Sequence, residues 1–438
     1  MKKLLSIFVS LIVLLTLVAC TTTLAADVVD FSLSQEKVTT ITVWLDDSEG
    51  LFMADLIPAF NAVYPNIEVQ FQHMGALDSR DRLKTYGVSG NGADVFMFPH
   101  DHLSLAILED LVYPLPNELF QSLNTKILDV AMDIATAGTR NTTNPVLYAV
   151  PISIESIFIM YNKTLISEEE VANLTSWNDI IDYSATFAAA NPGKQLLTTN
   201  SHWADNYYIQ TIYSAFGWRP HGIDGIDASA VGFESQALTS ALTWLTTELK
   251  PVVTGNNSYN SVATSYFEQG SAAMIIIGPW AIKSFEERLG ADNLGAMAMP
   301  TFDGVEGATY TPSTFAGSQM VAVYKYSQNK EAAIAFVQFL ATEEAQQILY
   351  RTSNDCPALL DLSGITSTSG TNITDDKYMK VMIAQLQTSI PMPTISAVTY
   401  YWAAAETMVK NIWDQNADIQ TEQKKAEASY LASKALGS

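Results

Sequence analysis

The chain has 438 residues, 48% of them hydrophobic and 16% charged, and its 46 acidic against 23 basic residues give a formal charge of −23. That balance repels phosphate backbones and excludes nucleic acid as a natural partner, while the apolar fraction is that of a globular protein and not of a disordered one. Cysteine occurs only at Cys20 and Cys356; with the first assigned to export, no intrachain disulfide is left to staple the fold.

In chain order, Lys2 and Lys3 precede an apolar run from Leu4 to Val18, followed by Ala19 and Cys20. This is the charged, apolar, small-residue order of a secretory signal, and the run is short of the roughly 20 apolar residues that a spanning helix needs. Leu17-Val18-Ala19-Cys20 has the form of a bacterial lipobox, whose cysteine is acylated. A plain signal cleaved near Ala25-Ala26 is the alternative. The expectation is therefore a signal at 1–19 and a lipid-anchored tether at 20–37, with a water-soluble domain held at the outer membrane face by lipid chains alone. After Cys20 no apolar stretch approaches spanning length.

The fold begins near Val38. Ile41 to Leu45 and Ile67 to Phe71 are strand-like, Leu51 to Val63 is a helix-length apolar segment, and Asp78 to Tyr86 reads as a second helix. Gly90-Asn91-Gly92 is a turn before the strand Asp94 to Phe98. Strand and helix in alternation predict an α/β layer with a parallel sheet, whose ligands sit beyond the carboxyl ends of the strands. Those ends carry Trp44-Leu45-Asp46 and Phe98-Pro99-His100-Asp101. Residues 165–290 are mostly helical in pattern, including Phe233 to Leu249 and Ser284 to Leu289. Within them, Ala272 to Ile277 is a buried strand that ends at Gly278-Pro279-Trp280. Helices return at Lys330 to Tyr350 and Thr399 to Trp413, separated by a Ser/Thr/Gly-rich stretch at 363–374. Cys356, before Pro357, reads as an inert buried thiol.

Several short segments then fall in one familiar order: Thr42-Val43-Trp44, Gly92-Ala93-Asp94-Val95, the loop Phe98 to His102, and Pro151 to Glu155 leading into Tyr161-Asn162-Lys163. They continue with Phe267 to Met274 and Gly278-Pro279-Trp280, Met299 to Phe302, and Met392 to Ile395 with Tyr401-Trp402. Together they resemble the family 1 extracellular solute-binding proteins of ABC importers, and within these the maltose and maltodextrin-binding proteins. The resemblance implies an α/β, two-lobed periplasmic-binding-protein fold (type II-like), each lobe a mainly parallel sheet flanked by helices, with a hinge between them. Residues 38–153 plus 317–372 would form the N-terminal lobe and 154–316 plus 373–434 the C-terminal lobe. It also implies a monomer that binds an oligosaccharide, needs no cofactor or metal, and hands its ligand to membrane permease subunits.

A sugar ring offers flat C–H patches edged by hydroxyls, so its site needs aromatic faces and fixed polar acceptors. By family position, Trp280 and Trp402, helped by Tyr207 and Tyr401, would be the platforms of one lobe, and Phe98 and Trp44 the aromatic residues of the other. Asp46, Asp101 and Glu155 would accept hydroxyl hydrogens. His102 stands where the family usually has arginine, Phe98 where tryptophan is typical, and Ser48-Glu49 where an Asp-Lys pair is usual. These departures argue against acidic or phosphorylated sugars and weaken maltose as the particular ligand, leaving a different oligosaccharide as the alternative. Two rivals start from the same residues: a glycan-cleaving enzyme with Asp101 and Glu155 as acid and base, and a metal site on His100, Asp101 and His102.

Overall fold

The computed structural model describes residues 38–222, 224–229, 231–253 and 262–437. The signal at 1–19, the tether at 20–37 and Cys20 lie outside the described residues. Among the described residues, no helix is long and apolar enough to cross a membrane.

The first strands, β1 (Thr39–Leu45), β2 (Ile67–His73) and β3 (Val95–Pro99), alternate with helices Leu51–Val63 and Ala76–Tyr86. The helix starts are set by carboxylates that take up orphan N–H groups. Asp47 accepts from Leu51 and Met53 at 3.1 and 2.9 Å, and Asp46 accepts from Ala76 at 3.0 Å. After β4 (Val150–Pro151) the chain passes through β5 (Glu155–Ser156) into β6 (Phe158–Asn162), β7 (Gln195–Thr199), β8 (Ala272–Ile277) and β9 (Leu294–Met297). It returns through β10 (Phe315–Gly317) into β11 (Gln319–Val323), and crosses once more at β12 (Ile390–Pro391).

Three sheets result: β2-β1-β3-β11-β4 in the first lobe, β7-β8-β6-β9 in the second, and β12-β10-β5 between them. The fold is the expected two-lobed one, but the sheets are mixed and not mainly parallel. β1 pairs in parallel with β2 and β3, whereas β11 runs antiparallel to both β3 and β4. In the second sheet only the β7–β8 pairing is parallel. The physical reason is connectivity. A parallel neighbour needs a helical crossover, and β6 and β11 enter their sheets directly from the hinge strands.

The hinge is knitted by three hydroxyls, one from each strand or its flank. Ser156 Oγ lies 2.7 Å from Thr314 Oγ1 and 3.0 Å from Ser389 Oγ, and those two are 2.7 Å apart. Alternation sends successive residues of β6 to opposite faces. Ile157, Ile159 and Tyr161 join the core of the second lobe, while Phe158 and Met160 join a cluster that continues into the first lobe. The run Lys330 to Tyr350 is two helices, Lys330–Leu340 and Glu343–Ser353, because the Thr342 hydroxyl accepts from the Ala345 N–H and starts a new one. Between Phe233 and Leu249 the α-helix covers Gln236–Trp244 and gives way to a wider π turn.

Candidate functional site between the lobes

The first wall is the loop after β3, where His100–His102 makes a single helical turn. Ser318, between β10 and β11, fastens it. Its N–H donates to His100 Nδ1 at 3.1 Å and its hydroxyl donates to the Ser153 carbonyl at 2.7 Å. Asp101, buried on this loop, accepts from the indole N–H of Trp402 at 3.0 Å. Trp402 sits on the second-lobe helix Val398–Gln415, so one hydrogen bond spans the cleft. Burial pulls both loop histidines below their ordinary range against the opposing pull of Asp101, so the loop carries no cation at neutral pH.

The floor is the hinge itself. Glu155 of β5 faces Gly317 of β10, and a Cβ there would stand 3.0 Å from Glu155 Cγ, so the glycine gives the carboxyl its space. Gln319 Nε2 lies 3.5 Å from Glu155 Oε1. A third carboxyl arrives from Glu343–Ser353, which ends at Asn354 in the left-handed conformation (φ 61°) and turns Asp355 into the cleft. There Asp355 accepts from the Ser353 hydroxyl at 2.9 Å. Burial, then the charge of Asp355, pushes the Glu155 carboxyl up to about 8; burial, with Asp46 adding to it, pushes Asp355 up to about 6.

The second wall is aromatic. Phe315 of β10 stacks on half-buried Tyr207 (centroids 6.2 Å apart, planes at 23°) and meets Trp402 edge-on at 6.1 Å. Tyr207 is held by the Asp205 carboxylate, which accepts from its N–H at 3.1 Å at the start of helix Asn206–Ala215. Trp280, 38% exposed at the carboxyl end of β8, lies so close over Gly278 that a Cβ there would fall 2.0 Å from its ring. Across the cleft rim, Lys283 Nζ lies 3.3 Å from Glu49.

Asp101, Glu155, Tyr207 and Trp402 are thus brought to one cleft, with half-buried His102 beside Asp101, and Trp280 is partly exposed three residues before the rim residue Lys283. Three expected contacts are not in it. Trp44 and Phe98 are buried inside the first lobe. Trp44 is in register with Phe96, and Phe96 and Phe98 share a strand face, 5.1 Å apart, so all three turn inward. The Trp44 N–H is spent on Gln72 at 2.9 Å. Tyr401 is buried against Phe233 and Trp218, because one helical residue is a rotation of about 100° and only Trp402 is left facing the cleft. Asp46 is exposed and caps Ala76–Tyr86, within electrostatic reach of Asp355. Phe315, Gln319 and Asp355 were not foreseen. Two of them lie on or beside a three-residue strand with no periodic signal, and Asn354-Asp355 reads only as a helix stop. Cys356 is buried and its thiol is pushed up to about 12 by burial and Asp355, as an inert thiol should be.

The chain's likenesses accord with this geometry. The sequence model of the bacterial extracellular solute-binding protein family matches residues 46–347. A maltooligosaccharide ABC transporter solute-binding lipoprotein of Streptococcus pneumoniae is 26% identical over 411 residues, 93% of this chain and 91% of that one. A galactooligosaccharide-binding protein of Bacillus subtilis is 25% identical over 395 residues, 88% and 87% of the two chains. Among solved structures, MalX from Streptococcus pneumoniae in complex with maltopentaose superimposes with a TM-score of 0.75 at 21% identity, covering 90% of this chain and all of that one.

Proposed function

Because the chain belongs to the bacterial extracellular solute-binding protein family, we propose that it captures maltodextrin-type α-glucan oligosaccharides between its lobes and presents the closed form to the permease of an ABC importer. It is a binding protein and not an enzyme, which removes the acid and base roles weighed for Asp101 and Glu155. In this reading it works as a monomer held at the outer face of the membrane through acylated Cys20. Residues 38–153 plus 317–372 move against 154–316 plus 373–434.

The observation that carries the reading is the aromatic pair of half-buried Tyr207 and Trp402, backed by buried Phe315, beside the carboxyls and amide of Asp101, Glu155 and Gln319. Aromatic faces suit the C–H patches of a pyranose, and acceptors such as Asp101 and Gln319 suit its hydroxyls. Among the described residues the rim cation Lys283 is paired with Glu49, so the carboxyl-lined floor favours a neutral sugar over a phosphate or uronate. Relatives of nearly equal identity carry maltooligosaccharide and galactooligosaccharide names, so the α-linkage is tested directly. Titration calorimetry of the mature protein with maltotriose to maltopentaose and with a β-galactooligosaccharide should give binding only to the first set. Tight binding to the galactoside alone would replace the α-glucan reading. Trp402→Ala should cost about 2 kcal/mol or more of affinity, the loss expected when a central aromatic anchor is removed.

A further inference from the structure

The cleft floor holds two carboxyls where a sugar site needs only acceptors, and among the described residues no cation acts on either. The one protein contact to Glu155 described is the Gln319 amide at 3.5 Å on Oε1, which leaves its second oxygen open to the cleft. The groups that face it from each surrounding element deepen the problem. Asp355 comes from the loop after Glu343–Ser353, and its charge raises the Glu155 proton affinity, while the Tyr207 and Tyr208 phenols from the helix capped by Asp205 are neutral neighbours whose own ionisation Glu155 opposes. Helix Lys377–Leu386, packed on β5, offers no counter-charge. Its Gln385 turns to the Met299 N–H and Lys377 to the carbonyls of Ala291 and Leu294. A bare carboxylate in such a recess is costly, and a second carboxylate beside it adds repulsion.

We infer that Glu155 meets the sugar as a carboxylic acid and donates its proton to a sugar oxygen, with Asp355 as the neighbouring carboxylate that keeps it protonated. This rests on the reading of the cleft as an oligosaccharide site. Gln319 completes the arrangement. Its Nε2 holds one carboxyl oxygen of Glu155, and its Oε1, buried without a partner, is an acceptor for a sugar hydroxyl. With the Glu155 proton committed to the sugar, its other oxygen is left as an acceptor, which the Gln319 Nε2 donor matches. Direction agrees: burial and Asp355 hold the Glu155 proton up to about 8, above ordinary working pH.

The test is calorimetry with maltotetraose from pH 6 to pH 9.5, repeated in buffers of different ionisation enthalpy. The wild type should lose affinity above pH 8, approaching about tenfold per pH unit, and should take up close to one proton on binding at pH 9. Glu155→Gln, which keeps a donor, should give a flat profile with no proton uptake, whereas Glu155→Ala should bind weakly at every pH. Asp355→Asn should move the wild-type decline to lower pH. Flat wild-type affinity with no proton uptake overturns the donor role, as does a Glu155→Gln profile that still declines. Absence of binding at every pH removes the sugar reading itself, and this inference with it.

Discussion

Trp402 shows how one side chain serves two ends. Its N–H reaches Asp101 across the cleft while its ring stands edge-on to Phe315, so the residue proposed to stack on ligand also bridges the two walls. Glu155 is the costlier neighbour. Its folded proton affinity is raised above the ordinary carboxyl value of 4.5 to about 8, so the fold prefers the neutral form. The stability this group contributes is complete below pH 4.5 and is lost as pH rises through 8, by up to about 1.4 kcal/mol for each unit between. Glu155→Gln should therefore melt close to the wild type at pH 5 and progressively above it towards pH 8.5. An offset that stays constant across that range, measured by calorimetric melting of the unliganded protein, would remove Glu155 as the cause. The family resemblance named Asp101, Glu155, Tyr207 and Trp402 as neighbours in the cleft. It misjudged Trp44, Phe98 and Tyr401 because facing changes by 180° per residue in a strand and about 100° in a helix.

At the scale of elements, legibility followed length and periodicity. Leu51–Val63 and Ala272–Ile277 have the bounds expected from pattern, and β1 to β3 differ by a residue or two at their ends. The hinge strands β5 and β12, of two residues each, carry no periodic signal, and helix Ile419–Gly437 has too few apolar residues to announce itself. Glu49, the unexpected anion in the first loop, gains a physical account here. Lys283, on Ile282–Leu289 of the second lobe, approaches it at 3.3 Å and also lies 3.5 Å from the Thr352 carbonyl, at the negative end of helix Glu343–Ser353. The pair is a rim latch between elements of different lobes. Both side chains are a third or more exposed, so such a pair contributes roughly 0.2–1 kcal/mol and is screened by salt. Lys283→Met should speed ligand release about two- to fivefold at low salt and less at high salt, measured by stopped-flow fluorescence. The charge-swapped pair Glu49→Lys with Lys283→Glu should recover most of the loss, and unchanged release rates in the single variant would deny the latch.

For the whole molecule, the question is what holds the lobes together when both walls of the cleft carry carboxyls. The protein is acidic overall, with 46 Asp and Glu against 23 Lys and Arg, and the Asp355 carboxyl of one lobe acts on the Glu155 carboxyl at the hinge. An acidic excess of this size opposes closure. Among the described residues, the cross-cleft contacts that resist it include Trp402 to Asp101, Ser104 to the Thr394 carbonyl, and Lys283 to Glu49 and the Thr352 carbonyl. A ligand drives closure only through contacts that are better in the closed form, and a sugar bridging Trp402 and Glu155 supplies them. The Trp402–Asp101 bond, a hydrogen bond to a charged group, is in the class worth about 1.5–3 kcal/mol, enough to move an open–closed equilibrium roughly ten- to a hundredfold. Trp402→Phe keeps an aromatic ring there and loses the N–H. By small-angle scattering the unliganded variant should be more expanded than the unliganded wild type, and saturating maltotetraose should return both to a similar compact envelope near the roughly 22 Å radius of gyration of a chain this size. Equal radii for the two unliganded proteins would mean that this bond does not bias closure, and that the balance between the lobes is set at the hinge hydroxyls of Ser156, Thr314 and Ser389 instead.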